Sequence, residues 1–230
     1  MTLRERDVAL TEVMDDPDCD ARTLEASYRR FGLVNRIVSG WGRIWRGTLE
    51  PWAARRDGAV RILDLGCGGG DLLVRLEMLA RRARIAVDLT GADPDPRAIA
   101  VAAARRGTSA RFLRADAERL LADGERFDLV LSNHVLHHLT AQELSRFAEQ
   151  SRSLSRGIVL HADIERSAAA YALYAAGIPP LALGTFLRVD GLRSIRRSYR
   201  REELQAALGT PWLVDSPAPF RLLAHAPGHA

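Results

Sequence analysis

The stretch Ile62-Leu63-Asp64-Leu65-Gly66-Cys67-Gly68-Gly69-Gly70-Asp71 decides the fold. An apolar run of strand character ends at an acid and enters a glycine-rich loop, which a ligand can approach closely along the main chain. This points to a nucleotide-derived cofactor. The dinucleotide fingerprint requires a third glycine three positions after the second; Asp71 stands there instead, so that pattern fails. A P-loop fails as well, because no Gly-Lys-Ser/Thr follows and the chain contains no lysine.

Working outward, Ile85 to Ala92 reads as a second strand ending at Asp93, before Pro94-Asp95-Pro96 breaks the chain. Asp95 suits a helix cap and Pro96 a first helical position, opening the Ala-rich run Arg97 to Arg105. An acid at the end of a second strand is placed to accept ribose hydroxyls, which assigns that task to Asp93. A third strand, Ala110 to Arg114, precedes Ala115-Asp116-Ala117. The fourth, Phe127 to Leu131, runs into Ser132-Asn133-His134-Val135-Leu136-His137-His138-Leu139, and the fifth is Gly157 to Ala162, leaving at Asp163. Alternating strands and helices imply an α/β fold with a parallel sheet, helices on both faces and ligands beyond the carboxyl ends of the strands.

These motifs, in this order over residues 60 to 165, resemble those of the class I S-adenosylmethionine-dependent methyltransferases. The resemblance implies a Rossmann-like, seven-stranded, mostly parallel sheet closed by an antiparallel strand. Trp212 to Val214 and Phe220 to Ala224 are the expected last strands. It also implies S-adenosylmethionine as cofactor and S-adenosylhomocysteine as product. Gly66, Cys67, Gly68 and Gly70 would underlie the methionine part. Asp64 would receive its ammonium, a cation suited to a carboxylate. Asp93 with Pro94 would take the ribose, Asp116 with Ala117 the adenine, and Asn133 completes the expected set at the mouth of the site. The segment around His137 resembles that of cyclopropane fatty acid synthases, where an acid faces the transferred methyl. A hydroxyl acceptor needs a base near neutral pH, and the expected order is His137, then His134, then His161. The metal-dependent catechol-type pattern of acids and a lysine base is missing, so no metal is expected; the alternative ligand set would be His134, His161 and Asp163.

The 230 residues, 47% of them hydrophobic, suit one domain with appendages. Residues 1–56 read as a lead-in and helical cap, and 57–230 as the methyltransferase domain with a helical insert at about 165–190. Residues 1 to 20 look loosely packed. Leu24, Tyr28, Phe31, Val34, Val38, Trp41 and Trp45 recur at helical steps, but Gly32, Gly40 and Gly42 predict two shorter helices. Arg36 on this cap is expected to meet the cofactor carboxylate or the substrate. Gly177 and Pro179-Pro180 break the uncharged run Ala168 to Leu187, which argues against a membrane span. It is expected to wall an apolar pocket with Tyr171, Leu173, Tyr174, Ile178, Leu181, Leu183 and Phe186, or to form a homodimer contact. The acid-x-x-Arg turn Asp163 to Arg166 resembles, more loosely, a subgroup of bacterial small-molecule methyltransferases. That favours O-methylation of a phenolic, quinone-like or polyketide-derived acceptor.

Thirty-three basic residues, all arginine, against 29 acidic ones give a net charge of +4, which does not demand nucleic acid. Arg193, Arg196, Arg197, Arg200 and Arg201 would form one basic stripe if helical, open to an acidic carrier protein or to an RNA or protein substrate. Two distant cysteines allow no disulfide framework, and the charged start has no apolar signal core, so a cytoplasmic location is expected.

Overall fold

The apolar run that opens the glycine loop folds as the middle of a sheet. The computed structural model describes residues 3–229. A 3-10 turn (Val13–Asp15) leads to α1 (Ala21–Val38), α2 (Trp41–Ile44) and α3 (Glu50–Ala53), the last two joined by a π-helical turn (Trp45–Leu49). The next elements alternate: β1 (Val60–Leu65), α4 (Asp71–Ala83), β2 (Val87–Asp93), α5 (Pro96–Ala103), β3 (Arg111–Arg114), α6 (Ala117–Ala122), β4 (Phe127–Asn133), α7 (Ala141–Leu154) and β5 (Ser155–Ile164). The chain closes with α8 (Ala168–Gly177), α9 (Pro179–Ala182), α10 (Leu187–Arg197), α11 (Arg201–Leu208), β6 (Leu213–Ala218) and β7 (Arg221–Pro227).

The seven strands lie in the order β3-β2-β1-β4-β5-β7-β6. The first five pair in parallel, and β7 runs antiparallel to β5 and β6. This is the Rossmann-like, mostly parallel sheet that the sequence predicts. Ile62, Leu63, Val130 and Leu131 are at most 2% exposed. Strands covered on both faces read as continuous apolar runs rather than alternating ones. One covering layer joins Leu120, Leu144 and Leu204 of α6, α7 and α11; the other joins Trp41, Leu73 and Leu76 of α2 and α4. Strand order reverses between β1 and β4, and the crevice at their carboxyl ends is where an open α/β sheet receives ligands.

The cap differs from expectation at one glycine. Helix α1 runs unbroken through Gly32, where a Cβ would make only an ordinary contact, 3.5 Å from Cβ of Asp71. Its helical penalty of about 1 kcal/mol is outweighed by burial of the α1 face carrying Leu24 and Val34. The break comes at Gly40, whose φ of 74° lies in the left-handed region.

The lead-in is not loosely packed. Arg166 donates to the carbonyls of Leu3 (3.2 Å) and Arg4 (3.0 Å), Arg6 donates to that of Arg197 (2.7 Å), and Asp190 accepts from the amides of Val13 (2.7 Å) and Met14 (3.0 Å). Polar side chains elsewhere in the chain thus satisfy backbone that would otherwise face water. The expected arginine stripe is absorbed in the same way. Arg193 donates to Thr11 O, Arg196 pairs with Asp7, Arg197 donates to His138 O, Arg200 to Leu3 O and Arg201 to Val214 O. Arg197 is only 7% exposed and is withdrawn from the expected stripe, while Arg200 and Arg201 stay exposed.

The insert folds as α8 and α9 and packs on α1, with Val34, Ile178 and Leu187 buried together. Among the described residues no helix is long and apolar enough to cross a membrane.

Candidate active site

A cavity of about 1400 Å³ lies beyond the carboxyl ends of β1, β2 and β4, under the lead-in, α1 and the insert. Its floor is the glycine loop. Gly66, at φ +70°, leaves no room for a side chain, because a Cβ would sit 2.7 Å from Cγ2 of Val135. The amides of Gly66 and Cys67 both donate to Ala92 O, tying the loop to the end of β2. Gly66→Ala therefore combines an unfavourable backbone conformation with a steric clash. It is expected to weaken binding of S-adenosylhomocysteine at least tenfold by calorimetry; an unchanged affinity would count against the loop as the cofactor floor.

The acids are held in distinct ways. Asp93 accepts from Gly68 N and Asp95 N, both at 2.9 Å, which fixes its plane and leaves lone pairs for a ligand. Burial raises its pKa. Asp64 is 1% exposed, and its Oδ1 has no hydrogen-bond partner among the described residues. Burial, then the charges of Asp71 and Asp93, raise its pKa well above the ordinary range. Asp71 accepts from Asn35 Nδ2 at 3.0 Å and is also pushed up by burial. A buried acid with an unused oxygen and a half-buried acid near it suit a cationic group. A phosphate would be repelled. Asp116 is the N-cap of α6, accepting from Arg119 N at 2.8 Å, with Ala117 buried beside it. Pro94 lines the cavity, and exposed Arg36 lies on its rim. Burial also pushes the Cys67 thiol up, leaving it un-ionised. The Oδ1 of Asn133 serves the scaffold, accepting from Trp41 Nε1 (3.0 Å) and Arg221 Nη2 (3.2 Å).

The structure separates the three histidines. His137 is 1% exposed, with Nδ1 2.7 Å from Asp163 Oδ1 and Nε2 3.2 Å from Glu12 Oε1. Burial alone would lower its pKa, but the charges and hydrogen bonds of Asp163 and Glu12 raise it to about 9. Both ring nitrogens are engaged and the ring holds its proton, which is not the state of a general base. His134 has φ 64°, a conformation that costs a non-glycine residue energy and often marks functional sites. Its Nε2 lies 2.7 Å from Nη1 of Arg221. Arginine can only donate, so Nε2 accepts and Nδ1 carries the proton. Burial, then Arg221, hold the ring neutral. His161 does not reach the cavity. It packs between Phe147 and Trp212, with Nδ1 2.8 Å from Ser132 Oγ, and burial lowers its pKa to about 3. The ligand set His134, His161 and Asp163 therefore does not come together.

Of the insert, Leu173, Tyr174, Ile178 and Leu181 line the cavity. Tyr171 and Leu183 border a separate surface groove instead, and Leu183 is 77% exposed. Glu12 and Asp71 were not legible as site residues: the first sits in a charged lead-in, and the second fills the position where a dinucleotide loop has glycine.

Comparison with known proteins identifies the family. A family model described as a methyltransferase domain matches residues 62–157. The ubiquinone biosynthesis O-methyltransferase of Rhizobium etli is 35% identical over 153 residues, 64% of this chain and 57% of that protein. That of a Chelativorans species is 31% identical over 189 residues, 79% of this chain and 67% of that protein. The chain thus spans between 46% and 67% of the length of curated relatives it matches. Among solved structures, the plantazolicin methyltransferase BpumL, in complex with a pentazolic desmethylPZN analog and SAH, superposes with a TM-score of 0.62 at 17% identity, covering 91% of this chain and 96% of that one. Human N-acetylserotonin methyltransferase in complex with SAM gives 0.61 at 14% identity, covering 88% and 55%. At those identities the structures speak for the fold, while the relative matched over two thirds of its length speaks for descent. The chain belongs to the class I S-adenosylmethionine-dependent methyltransferases.

Proposed function

We propose that this protein transfers a methyl group from S-adenosylmethionine to a hydroxyl of a small, apolar, aromatic acceptor of phenolic or quinone-like type. The observation that carries the reading is Asp64, a buried carboxyl with an unused oxygen beside the glycine loop, opening into the cavity. An unpaired buried polar atom is costly, and a ligand ammonium would satisfy it. Asp71 reinforces the negative potential there, Asp93 is oriented for the ribose, and Asp116 with Ala117 for the adenine edge. Arg36 at the rim would meet the carboxylate.

When bound, the cofactor supplies a methyl group on a cationic sulfonium. The chain's own part is alignment and exclusion of water. A cavity of about 1400 Å³ exceeds the usual range for one small ligand, roughly 300–1000 Å³, leaving space for an acceptor beside the cofactor. Its apolar side, built by Phe31, Val34, Ile178 and Leu181, suits an aromatic or alkyl-bearing molecule. His134, held neutral with Nδ1–H free to donate, is the acceptor-orienting group in this reading. The names of the curated relatives favour oxygen as the methylated atom.

Two measurements test this. Calorimetry should show binding of S-adenosylmethionine that Asp93→Ala weakens by about 1–3 kcal/mol, the value of hydrogen bonds to a charged group. Transfer of labelled methyl to a panel of substituted phenols and quinols, with NMR of the product, should then give a methyl ether. Label entering only RNA or protein would sink the small-molecule reading, and no cofactor binding would sink all of it.

A further inference from the structure

The cofactor reading leaves one buried group unused. Glu12, 8% exposed, points its Oε1 to within 3.2 Å of His137 Nε2 and 3.7 Å of His138 Nε2. The ligand-capable atoms of these three residues all lie within 4.8 Å of one another. Ligands bonded at about 2.0–2.2 Å to one ion stand roughly 3.0–3.6 Å apart, and the two Glu12–histidine separations, 3.2 and 3.7 Å, lie in or just beyond that range.

The outer nitrogens of both rings are already fixed. His137 Nδ1 lies 2.7 Å from Asp163 and His138 Nδ1 lies 3.2 Å from Asp15. A carboxylate on Nδ1 leaves Nε2 as the ligating atom once the ion displaces the proton that His137 shares with Glu12, and metal-bound histidines almost always have such a partner. Ser194 Oγ donates to Glu12 Oε1 at 2.6 Å and orients the third ligand. The carboxylates of Glu12, Asp15 and Asp163 face the two rings, while the guanidiniums of Arg6 and Arg197 bond the carbonyls of His137 and His138 rather than the ring nitrogens.

We propose that Glu12, His137 and His138 form a site for a divalent first-row transition-metal ion at the edge of the cavity. Two imidazoles and one carboxylate suit zinc or iron better than magnesium or calcium. All three residues line the cavity, and three protein ligands leave coordination positions open, as in sites that bind a reactant. Resting on the methyl-transfer reading, the ion would take the acceptor oxygen as a ligand and ease loss of its proton to water. That fills the role for which His137, engaged at both nitrogens, is unsuited.

The test uses the full chain stripped with EDTA, dialysed against zinc chloride, and analysed for bound metal. One ion per chain is expected, with a visible cobalt spectrum when Co²⁺ replaces zinc. His138→Ala removes a side chain that is 29% exposed, so the core stays closed. It should weaken zinc binding at least 100-fold while leaving S-adenosylhomocysteine affinity unchanged. Asp15→Asn should cost about 10-fold, and His225→Ala, on β7, nothing. Failure to bind zinc stoichiometrically, or binding indifferent to His138→Ala, overturns the site and leaves Glu12 as a clamp on His137. Zinc bound as described with no methyl transfer to any acceptor would preserve the site and defeat the methyl-transfer reading.

Discussion

Asp163→Ala is expected to lower the unfolding free energy by about 3–5 kcal/mol, the usual loss when one partner of a buried ion pair is removed. The side chain makes three short contacts. Its Oδ1 lies 2.7 Å from His137 Nδ1 and accepts from Ile164 N at 2.7 Å, while Oδ2 accepts from His137 N at 2.9 Å. Burial alone would raise its pKa, but the charge and hydrogen bond of His137 together with the Ile164 amide outweigh that and hold the carboxyl ionised. Truncation strands two backbone amides and leaves His137 with Glu12 as its only carboxylate. Urea unfolding followed by both fluorescence and circular dichroism would measure the loss, and the melting midpoint should fall by roughly 6–20 °C for a chain of this size. Asp163→Asn keeps an acceptor for one amide and should cost clearly less. Equal effects of the two variants would mean that the charge accounts for the whole loss and that the acceptor contributes nothing at this position.

The same residue shows where sequence reading works and where it stops. The placement of the proposed cofactor residues is legible because each element is local: Asp64, Gly66 and Asp93 sit at strand ends whose order sets their place in the sheet. The histidines are not, since strand position matters to a few ångströms. His161 lies two residues before Asp163 on β5, on the same face of the strand but about 7 Å further back. That step takes it out of the cavity and into the core against Trp212. His134 and His137 flank the same turn, yet one meets an arginine and the other two carboxylates. Those partners are far away in sequence: Glu12 by 125 positions, Arg221 by 87. No periodicity marks such contacts. The arginines misled for a related reason, because a charged side chain reads as surface unless the carbonyls it will satisfy are known. Arg166, fully buried against Glu203 and the lead-in, is the extreme case.

Asp64→Asn should change stability and function in opposite directions. In the ligand-free chain the Asp64 carboxyl is buried with an unused oxygen and two acidic neighbours, Asp71 and Asp93. Such a group binds its proton more tightly when folded than when unfolded. Its contribution is therefore most favourable below the ordinary carboxylate pKa of about 4 and is lost as pH rises through the raised folded-state value. Asparagine has no charge to desolvate, so the variant should be about 1–3 kcal/mol more stable than the wild type at neutral pH and lose less stability between pH 4 and 8. For cofactor binding the sign reverses. The ammonium of S-adenosylmethionine would restore the ionised acid, and asparagine cannot supply that charge, so affinity should fall about 100-fold or more. Thermal melts with and without S-adenosylmethionine separate the two effects in one experiment: the variant melts higher alone and gains little from ligand. A structural acid would behave otherwise, with Asp64→Asn melting lower in both conditions. That outcome would remove Asp64 from the binding site and, with it, the strongest support for the cofactor assignment of the loop.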